Sequence, residues 1–106
     1  MTSEVHEAEV EIQNHLGLHA RPAAQLVRLS NRFRSDIFVS KNGVEVNGKS
    51  IMGVMMLAAE RGARVQVRAV GTDAREAIRD LVALIERRFD EDDEGQPVDA
   101  GPSSAT

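Results

Sequence analysis

The stretch DIFVSKNGVEVNG (36–48) holds two β-rich runs on either side of Asn42-Gly43. Asn-Gly between such runs is the strongest short-range hairpin signal, because both residues accept the positive φ that a two-residue turn demands. What flanks this antiparallel pair then sets the architecture. Upstream, ARPAAQLVRLSNRF (20–33) places Ala20, Ala23, Val27 and Ser30 on one side at helical spacing, with Leu26 and Phe33 beside them. Before that, AEVEIQ (8–13) alternates Ala8, Val10 and Ile12 with Glu9, Glu11 and Gln13, as a strand with one buried face does.

Downstream, KSIMGVMMLAAERG (49–62) predicts a shorter helix with Ser50 as N-cap and Gly62 past its end. Its interior Gly53 costs about 1 kcal/mol of helix propensity. Val54, Leu57 and Ala58 are assigned to the core. ARVQVRAVG (63–71) alternates again, with Val65, Val67 and Ala69 on one face. DAREAIRDLVALIERRF (73–89) is the clearest helix. Asp73 and Glu76 suit an Asp version of the capping box. Ala77, Ile78, Leu81, Leu84, Ile85 and Phe89 form its apolar stripe. The order β-α-β-β-α-β-α predicts an α+β open-faced β-sandwich: a four-stranded antiparallel sheet, three helices over one face, the other face wet.

Composition bounds what such a domain can do. The chain has 106 residues, 42% apolar, with three Phe and no Tyr or Trp. Its core must therefore come from aliphatic side chains, Met and Ala. There is no cysteine, which removes disulfides, thiolate metal sites and thiol nucleophiles and fits a reducing cytoplasm. No apolar run suits a signal peptide or a membrane span, so a cytoplasmic protein without membrane insertion is expected. The net charge of −4 and the lack of strand aromatics argue against nucleic acid. The folded domain is expected over residues 1–89. From Asp90 the chain reads DEDDEGQPVDAGPSSAT, an acidic stretch containing Gly, Pro and Ser that is expected to be a disordered, solvating tail.

NHLGLHARPAA (14–24) puts His19 and Arg21 at the start of the first helix, with Pro22 next. Pro suits a first turn, and the residue before it is pushed out of helical geometry. With His19 as N-cap, the unpaired first-turn N–H groups and the helix dipole make a small anion site. Arg21 adds a forked, fully charged donor. A histidine there fits three roles: phosphoryl acceptor, general base, or a cap that happens to be His. His15 and His19 stand four apart, but Gly17 breaks any continuous helix between them, so no metal is expected. His6 is expected at the first strand's frayed end.

GLHARPAA (17–24) and GKSIMGVMML (48–57) together resemble the two signature motifs of the HPr family, the histidine-containing phosphocarriers of the phosphoenolpyruvate-dependent phosphotransferase system. The likeness covers about residues 5–89. It implies a carrier that is a substrate of enzymes more than an enzyme, needing no cofactor. His19 would take a phosphoryl group on Nδ1 from phosphorylated enzyme I and pass it to enzyme IIA-type proteins. Arg21 would steady the group, Ala20 and Arg21 would offer backbone N–H groups, and Pro22 would fix the start of the helix. Ser50 matches the family's regulatory serine, the target of HPr kinase/phosphorylase; the other reading is a plain N-cap. Ile51, Met52 and Met55 correspond to a docking patch, and a monomer is expected. The alternatives are a regulatory phosphocarrier of a nitrogen-related branch, towards which ALIERRFDED (83–92) leans, and a non-catalytic α/β binding module.

Overall fold

A computed structural model describes residues 4–91. The order is β1 (Glu4–Glu11), α1 (Ala20–Ser30), β2 (Asp36–Lys41), β3 (Val44–Asn47), α2 (Ile51–Met56), β4 (Arg64–Gly71) and α3 (Ala74–Glu86). A tight turn over Arg88–Asp90 follows. The strands form one antiparallel sheet in the order β1-β4-β2-β3. Val10 faces Val65 across β1 and β4, and Val39 faces Val67 across β2 and β4. The hairpin closes at Asn42 and Gly43, both at positive φ (51° and 83°), as its sequence requires.

The period-two and helical stripes meet in one core. Ile12, Leu26, Ile37, Val39, Val54, Val65, Val67, Leu81 and Ile85 are fully buried. Each such side chain contributes roughly 1.5–3 kcal/mol by leaving water. The opposite face of the sheet is polar: Glu9 pairs with Arg64, and Glu45 with Arg68, whose guanidinium lies 4.4 Å from the Phe38 ring centroid. No described helix is long and apolar enough to cross a membrane.

Several local expectations need correction. His6 is not at a frayed end; it pairs with Ala69 inside β1, and its Nε2 lies 3.0 Å from Glu4 Oε1. Ala20 is exposed on α1, whose buried face is Pro22, Ala23, Leu26 and Ser30. The second helix stops at Met56, six residues before Gly62. Ala58, expected in the core, is instead exposed at φ 49° and turns the chain. Lys41 makes that early stop workable, because its Nζ donates to the carbonyls of Leu57 (3.3 Å) and Ala58 (3.2 Å) and pairs with Glu60. The capping box at Asp73 does not form. The carboxylate accepts instead from the backbone N–H groups of Arg34 and Ser35, each at 2.9 Å, and from the Ser35 hydroxyl. A tertiary anchor has displaced a local cap.

Phe89 is buried as the stripe suggests, but outside the helix. Arg88, Phe89 and Asp90 all take positive φ (59°, 56° and 58°). Left-handed geometry costs about 1–2 kcal/mol per residue. Burying Phe89 offsets part of that, and the turn brings the following carboxylate back to the domain. The tail was expected from Asp90, whereas Asp90 and Glu91 make defined contacts; residues 92–106 of that tail lie outside the described residues.

Candidate functional site

His19 is the N-cap of α1, with extended backbone (φ −75°, ψ −173°) and no side-chain capping bond. Its carbonyl accepts from Ala23 N at 3.0 Å and so closes the first turn. Pro22, buried in that turn, has no N–H to leave unpaired. Ala20 and Arg21 donate to no other backbone group among the described residues, so their N–H groups are available at the helix start. Arg21 is exposed beside them.

The loop leading to His19 is held from two sides. Gly17 sits at φ +70°, where a Cβ would collide with the Ala59 carbonyl oxygen and lie 2.8 Å from Glu60 Cα. Leu18 N donates to that same Ala59 carbonyl at 2.8 Å. Only glycine meets both the left-handed φ and the close approach. Asn14, fully buried, donates through Nδ2 to Gly17 O (2.7 Å) and to Glu91 Oε1 (3.0 Å).

The other oxygen of Glu91 lies 3.1 Å from His19 Nε2. A carboxylate can only accept, so Nε2 carries the hydrogen and the neutral ring keeps its lone pair on Nδ1. The arrangement therefore presents one nucleophilic nitrogen and places a negative charge behind the other. Neither Asn14 nor Glu91 was assigned a role from the sequence. Asn14 lay in the quoted motif without a reason attached to it, and Glu91 was counted with the tail.

Ser50 caps α2: its hydroxyl accepts from Gly53 N at 3.1 Å. Beyond it Ile51, Met52 and Met55 are exposed, Met52 at 72%. Met56, at 76%, extends this apolar surface and was not anticipated. Helices α1 and α2 pack against each other, so the two motif helices are neighbours.

A matching family model and the relatives it brings with it make this a phosphocarrier protein rather than a catalytic enzyme. The chain belongs to the HPr family of the phosphotransferase system: the family model described as "PTS HPr component phosphorylation site" matches residues 6–87. The phosphocarrier protein HPr of Xylella fastidiosa (strain Temecula1 / ATCC 700964) is 49% identical over 86 residues, 81% of this chain and 97% of its own. The HPr-like protein Crh of Halalkalibacterium halodurans is 47% identical, covering 76% and 96%. The phosphocarrier protein NPr of Proteus mirabilis is 43% identical, covering 78% and 93%. Among solved structures, HPr-C-His from Thermoanaerobacter tengcongensis superposes with a TM-score of 0.80 at 48% identity, covering 82% of this chain and 98% of that one. An HPr dimer from the same organism gives 0.67 at 50% identity, covering 77% and 94%.

Proposed function

We propose that His19 is the phosphoryl acceptor of this carrier, loaded by phosphorylated enzyme I and unloaded by enzyme IIA-type proteins. The Glu91–His19 contact carries the reading, because it leaves Nδ1 as the free nucleophile. As the Nδ1–P bond forms, the phosphorus–donor bond breaks and the ring becomes cationic with its Nε2 proton retained. Glu91 faces that developing charge. Arg21 and the N–H groups of Ala20 and Arg21 hold the phosphoryl oxygens, and Pro22 fixes the turn that presents them. His19 keeps its Nε2 proton throughout, so the acceptor ring need neither gain nor lose a proton during transfer. Ile51, Met52 and Met55, with Met56, supply an adaptable apolar surface for successive partners. Ser50 is the site for an HPr kinase/phosphorylase in this reading: a phosphate there adds about −1.5 to −2 charges on the neighbouring helix and slows loading.

A second reading, the regulatory carrier without sugar transport, is favoured by the likeness to the NPr relative. The test is the intact mass after incubation with phosphoenolpyruvate and enzyme I. One phosphoryl group that is lost in acid, survives alkali and is absent from His19→Ala is the expected result. No addition with active enzyme I would overturn the assignment and leave the non-catalytic module. Trials with sugar-specific and nitrogen-type acceptors then separate the two carrier readings.

A further inference from the structure

Three exposed arginines, Arg21 and Arg28 on α1 and Arg32 just past its end, have no partner among the described residues: they neither donate a hydrogen bond nor form an ion pair there. Arg21 and Arg28, seven residues apart, fall on one face of the helix. The three line an open groove of about 720 Å³ between α1 and the C-terminal end of α3, together with Leu29, Leu84 and Arg87. Arg87 has one exposed partner, Asp90, at 3.1 Å. Outside the groove Lys41, Arg64, Arg68 and Arg79 each face a carboxylate, while Arg34, Arg61 and Arg75 have no side-chain partner among the described residues; the groove differs in gathering its arginines together. The groove is thus a concentration of positive charge that the described fold leaves largely unanswered.

The matching charge lies in the same chain. Through Glu91 the acidic and basic residues balance. Asp92, Asp93, Glu94 and Asp99 follow with no Lys or Arg among or after them, and they account for the whole net charge of −4. The described chain ends with Glu91 already against His19, at the N-terminal end of α1 and so at one mouth of the groove. Eight residues beyond Glu91 reach at most roughly 26–29 Å when extended. The eleven residues of α1 span only about 16 Å. The reach is sufficient.

We propose that residues 92–99 occupy the arginine groove of their own chain, their carboxylates paired with Arg21, Arg28, Arg32 and Arg87. Single exposed pairs are weak. A short tether, however, supplies an effective concentration in the millimolar range, and four pairs act together. Because the pairs are exposed, salt loosens them.

The absence of cysteine makes the test clean. A nitroxide on Ala100→Cys in the full chain should broaden the amides of residues 24–32 and 84–87 several-fold more than those of β2 and β3. That focus should vanish in high salt, in the tail variant D92N/D93N/E94Q/D99N, and in the groove variant R28Q/R32Q. Diffuse broadening that neither variant changes would overturn the proposal. So would broadening seen on unlabelled chains mixed with labelled ones, which would make the occupant a second copy's tail. So would a triphosphate that shifts these amides equally in the parent and tail-variant chains, since the groove would then stand open for a separate polyanion.

Discussion

Glu91 Oε2 lies 3.1 Å from His19 Nε2, although the two residues are 72 positions apart. The same carboxylate accepts from Asn14, so one side chain ties the end of the described chain to both ends of the loop that leads to His19. Glu91→Ala should let the neutral His19 ring sample both tautomers, which nitrogen-15 spectra of the side chain will read as a fall in the Nε2–H form. A single hydrogen bond contributes about 0.5–1.5 kcal/mol net. Phosphoryl uptake should therefore slow by roughly two- to tenfold, without loss of the fold.

Arg21 touches nothing that the fold needs. Arg21→Ala should leave stability within about 0.5 kcal/mol of the parent, as exposed substitutions do. Loading of His19 should fall by roughly 10- to 100-fold, the equivalent of a charge-assisted hydrogen bond of about 1.5–3 kcal/mol. Lys at this position should recover part of the rate but not all of it, because it lacks the planar fork. Stopped-flow loading beside thermal melting checks both halves.

Ser50 separates structure from regulation. Ser50→Ala removes the bond to Gly53 N and should cost about 1 kcal/mol in denaturant titration while leaving loading unchanged. Ser50→Asp keeps a capping oxygen and adds charge, so it should fold normally and load more slowly. Equal loading in the two variants would remove Ser50 from the regulatory account.

Asp73 predicts a pH signature. The Ser35 hydroxyl bond, assisted by the Arg34 and Ser35 N–H groups, holds its carboxyl below the ordinary value, against a smaller opposing effect of burial. A depressed folded-state pKa stabilises the protein above the unfolded value of 3.8, and the gain is lost as pH falls through the folded one. Asp73→Asn should thus lower stability at neutral pH and lower it progressively less below about pH 4, in paired denaturant titrations.

Gly17→Ala should be among the most damaging single-methyl changes. It forces a left-handed φ on alanine and drives a methyl into the Ala59 carbonyl. A loss of about 2 kcal/mol or more is expected, with reduced loading because His19 follows two residues later.

The elements legible in the sequence are those fixed by nearby residues. Asn42-Gly43 dictates its own turn, Ser50 its own cap, and the alternation through Val65 and Val67 its own buried face. What was misread depends on distant partners. Asp73 looked like a local cap, but the Arg34–Ser35 backbone competes for its oxygens. The second helix has no glycine where it stops; Lys41, on β2, meets the carbonyls beyond it. Glu91 belongs to an acidic run by composition. Only the left-handed turn after Arg87 shows that the first part of that run is folded. The motif around His19 drew attention to the ring, while the groups that contact the ring and its loop lie in the chain before and after the helix.

That same turn decides which end of the protein can be handled. A fluorescent protein, purification handle or surface linkage placed soon after Glu91 would emerge beside the imidazole and crowd every visitor to it. One placed ahead of Glu4 would sit at the opposite end of β1, roughly 25 Å along the strand. Binding and relay assays that need a fused reporter should carry it at the amino terminus.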